Sequence, residues 1–422
     1  MPNAALENVK SATWHSKIVL ANGLTVIVCE MPQYKGVHAI YGTNYGSVVR
    51  RFNLNGTDYT LPAGVAHFLE HKMFENEDGQ DAFALYAKTG ANANAYTSFD
   101  KTCYIFSATD NIDESLDILL SFVSKPYFTK ETVEKEQGII GQEIKMYDDS
   151  AEWRMMFAMF DCLYHTCPVK DDIAGSVESI AEITPQLLYA CCDAFYCPQN
   201  MVLSVAGNIT VQQVLDAVQR AEIPAKESAV KRYVEEEPAE IHKPHIELTM
   251  AVSQPIFGLG FKETPMPNDI RTEIICDMLT ELLVGDTTPL YRKLYDEGLI
   301  NPGFSGEYLS GEGYLNFIFA GETKDPAQVE KLLRAEITRL KTQGVDEEMF
   351  TCIKNMMLGD FVTNLESIDD VAGDLAAAHF KGRTTYDEIA ALCDITVQDL
   401  NNALKTMLNP ERSATVIIKP KA

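Results

Sequence analysis

Two stretches of this sequence repeat one another, and the repeat commits the chain to a duplicated architecture. Ile183-Thr184-Pro185-Gln186-Leu187-Leu188 leads to Pro198, Ile395-Thr396-Val397-Gln398-Asp399-Leu400 leads to Pro410, and both intervals are fifteen residues. A threonine ahead of a helical pattern caps free N–H groups, and a proline removes the donor that a continuing helix needs. An apolar β-type run then follows each proline, Met201 to Gly207 in one half and Ala414 to Ile418 in the other. Between the halves, Glu222 to Glu247 holds Pro224, the run Glu235-Glu236-Glu237-Pro238 and Pro244, the composition of an exposed linker. The expected division of the 422 residues is therefore 1–221, a linker at 222–246, and a homologous second domain at 247–422.

In the first half, Gly23 to Cys29 and Lys101 to Phe106 read as strands, and helical patterns cover Val65 to Phe74, Gln80 to Lys88 and Ile112 to Ser124. Interleaved strands and helices of this kind predict an α+β fold, a mostly antiparallel or mixed sheet covered by helices on one face. A formal charge of −26 repels phosphate backbones and anionic headgroups, which argues against nucleic acid or a membrane surface as partner. No apolar stretch approaches the ~20 residues of a membrane span. The opening Met1 to Glu7 lacks an export pattern, and ten cysteines without a CxxC pair read as reduced thiols, so the expected compartment is the cytoplasm.

Chemistry concentrates at His67-Phe68-Leu69-Glu70-His71. At about 100° per residue, positions 67, 70 and 71 share one helix face, so two imidazoles and a carboxylate converge on one point. Histidines one turn apart suit two nitrogen ligands of a tetrahedral zinc, which still needs a third protein ligand and an open position for water. The helix expected at Thr129 to Tyr147 carries Glu136 and Glu143 two turns apart on one face; one of them can reach the metal while the other supports it from behind. Gly138 and Gly141 in that helix each cost about 1 kcal/mol relative to alanine, which predicts close approach by a neighbouring element. The small side chains of Gly90 to Thr102 leave the backbone accessible, so an extended peptide could add to an edge strand there.

His67-x-x-Glu70-His71, the Asn94-Ala95-Tyr96-Thr97 strand and the Glu136-to-Glu143 helix, in that order, resemble the pitrilysin/insulysin family of inverted-motif zinc peptidases, which includes the mitochondrial processing peptidases. The likeness extends over most of the chain and is to the half-length bacterial members, with two homologous α+β domains forming half of a clamshell. It implies one Zn2+ per chain held by His67, His71 and Glu143. Glu70 would be the general base toward water, Glu136 a supporting carboxylate, and Asn94, Ala95 and Tyr96 would lie along the substrate backbone.

Active members of that family usually supply an arginine and a tyrosine from the homologous domain, near a segment ending Gly-Leu-x-Tyr. Here the stretch reads Gly298-Leu299-Ile300-Asn301, with asparagine at the tyrosine position and no clear arginine. The expectation is therefore a zinc metalloendopeptidase subunit that cleaves short unfolded peptides in a two-chain chamber. A metal-free homologue would supply the missing pair in a heterodimer, and a homodimer is the second choice. The rival is a non-catalytic polypeptide-binding or assembly subunit of the same fold.

Overall fold

The computed structural model describes residues 14–77, 79, 81–226 and 229–421; the expectations placed on Met1 to Glu7 and on Gln80 lie outside them. Two compact units emerge, Met1–Ile144 with Asp172–Val234 and Phe361–Tyr386, and Lys145–Asp171 with Glu235–Asp360 and Asp387–Ala422. Each unit thus takes one segment from the opposite half of the sequence.

The strands of the first unit are β1 (Ser16–Val19), β2 (Thr25–Glu30), β3 (Val37–Thr43), β4 (Arg51–Leu54), β5 (Thr57–Thr60), β6 (Asn92–Thr97), β7 (Thr102–Ala108), β8 (Met201–Gly207) and β9 (Val230–Arg232). Six of them form a sheet in the order β1-β2-β8-β3-β7-β6; β2 and β8 run parallel and every other neighbouring pair antiparallel. The helices that matter for the site are α1 (Val65–Met73), α2 (Ala82–Thr89), α3 (Ile112–Ser124) and α4 (Lys130–Asp149). These match the expected helices to within two residues.

Every residue of β3 and β8 is buried, so this sheet is covered on both faces and not on one as expected. Helix Ile368–Phe380, from the second half of the sequence, supplies the second cover. Its Val371, Ala372, Leu375 and Ala376 pack against Ile27, Cys29, Ile40, Cys103, Val202 and Ala206. Ser204 Oγ also donates to the Ala372 carbonyl at 2.8 Å, which satisfies a fully buried hydroxyl.

The second unit repeats the plan with β10 (His245–Met250), β11 (Ile256–Lys262), β12 (Ser305–Gly311), β13 (Tyr314–Glu322) and β14 (Ser413–Pro420). Their order is β10-β14-β11-β13-β12, again with one parallel pair, β10 and β14. Helix Ala151–Leu163 covers β11 where Gly258 and Gly260 leave room. A Cβ on Gly258 would lie 2.6 Å from Met155 Sδ, and one on Gly260 would lie 2.4 Å from Met159 Sδ. The sequence repeat has the same geometry in both units. Thr184 and Thr396 each cap a helix, and Pro198 and Pro410 each open a 3-10 turn that feeds β8 and β14.

The linker composition conceals one anchor. Glu237 accepts the N–H groups of His165 at 2.9 Å and of Thr166 and Cys167 at 2.7 Å, together with Lys262 Nζ at 2.5 Å. Burial alone would raise its pKa, but these donors outweigh burial and hold the carboxyl at about 2.

Candidate metal centre

Gly64 starts α1 with φ 90°, a left-handed conformation that strains any residue with a Cβ, and a Cβ there would meet the Ala174 carbonyl oxygen at 2.5 Å. Backbone contact at this turn aims a helix that is buried almost all round; only His71 among its residues is half-buried. His67 and Glu70 are buried, and the two imidazole rings lie 4.6 Å apart at their centroids.

The structure brings the third acid to these rings. Glu143 Oε1 lies 3.5 Å from His67 Nε2, and its Oε2 lies 3.4 Å from His71 Nε2. A tetrahedral ion with bonds of ~2.0–2.1 Å separates its donors by about 3.3–3.4 Å, so these spacings fit one zinc. One donor atom from each of His67, His71 and Glu143 can be chosen so that all three lie within 4.8 Å of one another. Glu136 takes the other position that was open to it: its Oε1 is 3.0 Å from His71 Nδ1 and orients the ring from behind. Spacing left both glutamates eligible as ligand and the family resemblance implied Glu143; the fold sets Glu143 against both rings and Glu136 behind His71.

Three carboxylates, those of Glu70, Glu136 and Glu143, share this small region with two imidazoles, an excess of negative charge that a divalent cation would offset. Burial raises the Glu70 pKa above the ordinary carboxylate range, against the opposing pull of His67, the Thr97 hydroxyl and His71. Burial works to lower His71, but the Glu136 hydrogen bond and the charges of Glu143 and Glu70 prevail and its pKa is raised. A proton on His71 would compete with a metal held there, so zinc uptake would weaken as pH falls. In a chelator-competition titration from pH 8 to 5.5, affinity is expected to drop about tenfold per unit once pH passes below that raised pKa. A flat profile would contradict this.

Among the described residues β6 is the edge strand of its sheet, paired with β7 on one side and with no strand on the other. Asn94 and Tyr96 are exposed and Ala95 half-buried; Asn94 Oδ1 accepts the Ala95 N–H at 2.9 Å. The same strand provides a residue to which the sequence reading gave no role. Thr97 Oγ1 donates to Glu70 Oε2 at 2.7 Å and fixes the carboxylate beside the candidate ligands. Its place at the end of the Asn94-to-Thr97 motif was the available signal.

One expectation fails. A Cβ at Gly138 or Gly141 would meet nothing within 4 Å, so no neighbouring element comes close enough to require glycine at either position, although Gly141 is itself buried. Gly138 is exposed in the interior of α4, so Gly138→Ala is expected to stabilise the protein by about 1 kcal/mol, read as a higher denaturant midpoint. A lower midpoint would show that this glycine does serve packing.

Comparison with known proteins agrees with the geometry. Residues 57–174 match the family model described as insulinase, peptidase family M16, and residues 182–357 match the one described as the peptidase M16 inactive domain. The uncharacterized zinc protease YmfH of Bacillus subtilis is 34% identical over 425 residues, with 99% of this chain and 98% of that protein covered. The chain belongs to peptidase family M16. Among solved M16 structures, the M16-like peptidase from Alicyclobacillus acidocaldarius superposes with a TM-score of 0.93 at 32% identity, covering 96% of this chain and 98% of that one. Pitrilysin shares the fold at a TM-score of 0.76 and 18% identity, and the match spans 96% of this M16 chain but 45% of pitrilysin. The half-length M16 architecture and the two homologous α+β domains are thereby shown. No helix among the described residues is long and apolar enough to cross a membrane.

Proposed function

We propose that this chain is the catalytic subunit of a zinc metalloendopeptidase that cleaves short unfolded peptides. One observation carries the reading: two imidazoles and Glu143 stand at zinc-ligand spacing, with Glu70 on the same helix and tied to an open edge strand. Zinc held by His67, His71 and Glu143 would polarise a peptide carbonyl and bring the pKa of water toward ~7. Glu70 would accept the proton of the attacking water and return it to the departing nitrogen. Thr97 keeps one Glu70 oxygen engaged and thereby aims the other, and Glu136 holds the His71 ring. The backbone of β6 from Asn94 to Tyr96 would pair with the substrate main chain, the Ala95 N–H exchanging its Asn94 partner for a substrate carbonyl.

Asn301 bears on the partner question. Its Nδ2 donates to Glu322 at 2.8 Å and its Oδ1 accepts the Gly303 N–H at 2.9 Å, so its side chain is committed within its own unit. This supports a second chain, a metal-free homologue that supplies arginine and tyrosine donors worth a factor of ~10²–10³ in turnover. The cysteine usage supports a cytoplasmic setting.

Zinc-loaded protein should hydrolyse unfolded peptides, lose the activity on chelation and regain it with zinc, and gain strongly from the homologous chain. Stoichiometric zinc with no hydrolysis, alone or with that chain, would favour a non-catalytic polypeptide-binding subunit instead. Full activity of the isolated monomer would remove the need for a partner.

A further inference from the structure

We propose that Lys72 is a positioning residue that locks the two metal-bearing helices in register, an inference that rests on the reading of His67, His71 and Glu143 as the metal centre. Lys72 directly follows a ligand candidate, yet its side chain is 0% exposed, a rare state for lysine. A buried ammonium with three donors requires acceptors. It finds the carboxylate of Glu75, just beyond the end of α1, and the Thr132 carbonyl oxygen on α4 at 3.4 Å.

Thr132 precedes Glu136 by one turn of α4, and His71 precedes Lys72 by one residue. Adjacent residues of α1 therefore grip α4 at two points one turn apart, His71 on Glu136 at 3.0 Å and Lys72 on Thr132. α4 also buries Val133, Ile140 and Ile144, and apolar contacts of that kind are non-directional. The two polar contacts add directional restraint on its rotation and its rise, and Glu143, two turns beyond Glu136, is carried with it. An apolar residue at 72 would fill the same core without the desolvation penalty of a charge. What the lysine adds is a directional bond to the other helix. Glu75 is 28% exposed, so water solvates it in part while it offsets the lysine charge.

The test compares Lys72→Met, Glu75→Gln and the double variant Lys72→Met/Glu75→Gln with the wild type. The readouts are zinc affinity by chelator competition, the visible absorption of the Co(II)-loaded protein and the melting temperature of the metal-free protein. Lys72→Met and the double variant are expected to bind zinc about tenfold more weakly, with a shifted Co(II) band, while the metal-free double variant melts within a few degrees of wild type. Glu75→Gln, which keeps the Thr132 contact, is expected to stay within about twofold. The proposal is overturned by wild-type affinity and an unchanged Co(II) band in the double variant, by an equal loss of zinc in Glu75→Gln, or by a double variant that does not fold. A wild-type protein that takes up no zinc overturns this inference and the proposed function together. Normal zinc uptake by the wild type with unaffected variants sinks the clamp alone.

Discussion

Glu70→Gln is expected to lower peptide hydrolysis by about a thousandfold and leave one zinc per chain in place. The size follows from the role, since a positioned general base contributes roughly 10²–10⁴. Glutamine keeps the volume and can still face the Thr97 hydroxyl, which lies 2.7 Å from Glu70 Oε2, so the helix and its two imidazoles stay where they are. What disappears is the basic oxygen. Burial also makes the neutral amide an easy substitute, because the native carboxylate already sits in surroundings that raise its pKa. Metal analysis beside peptidase kinetics on the same preparation decides the matter. Activity within tenfold of wild type would move the base elsewhere.

Glu143→Gln is expected to weaken zinc binding by more than about a hundredfold, and activity should fall with occupancy. Its two oxygens face both histidines, at 3.5 and 3.4 Å, so the substitution removes the one anionic donor among the three candidate ligands. Glu136→Gln provides the internal comparison. It supports His71 without facing the metal position, and a loss of about 10–100-fold is the ordinary cost of such a partner. The order of zinc affinities should therefore be Glu70→Gln, then Glu136→Gln, then Glu143→Gln as the weakest. Equal loss of metal in Glu70→Gln and Glu143→Gln would mean that the roles of the two residues have been assigned wrongly.

Much of the centre was legible from spacing because its first part is local. Residues 67, 70 and 71 lie within a turn of one helix, and helix geometry sets their directions whatever surrounds them. The two threonine caps and the prolines fifteen residues from the start of each repeat are local in the same sense, which is why the duplicated plan could be read without coordinates. Gly138 shows the limit of such reasoning. A helix-breaking residue in a helix looks like a packing requirement, but whether anything comes close depends on neighbours that periodicity does not reveal.

The amino-acid sequence alone determined the paired imidazoles with their intervening glutamate, the two homologous halves and the α+β class, since each follows from backbone period and capping within a few residues. Tertiary structure alone shows Glu143 against both imidazole Nε2 atoms and Glu136 on His71 Nδ1, which spacing left open and the family resemblance implied, that Thr97 holds Glu70, and that helices Ala151–Leu163 and Ile368–Phe380 each cover a sheet in the unit of the opposite half. The physical reason is range. Hydrogen-bonded helix turns fix direction over a few residues, whereas the partner of a side chain 65 positions away is chosen by how whole sheets and helices pack.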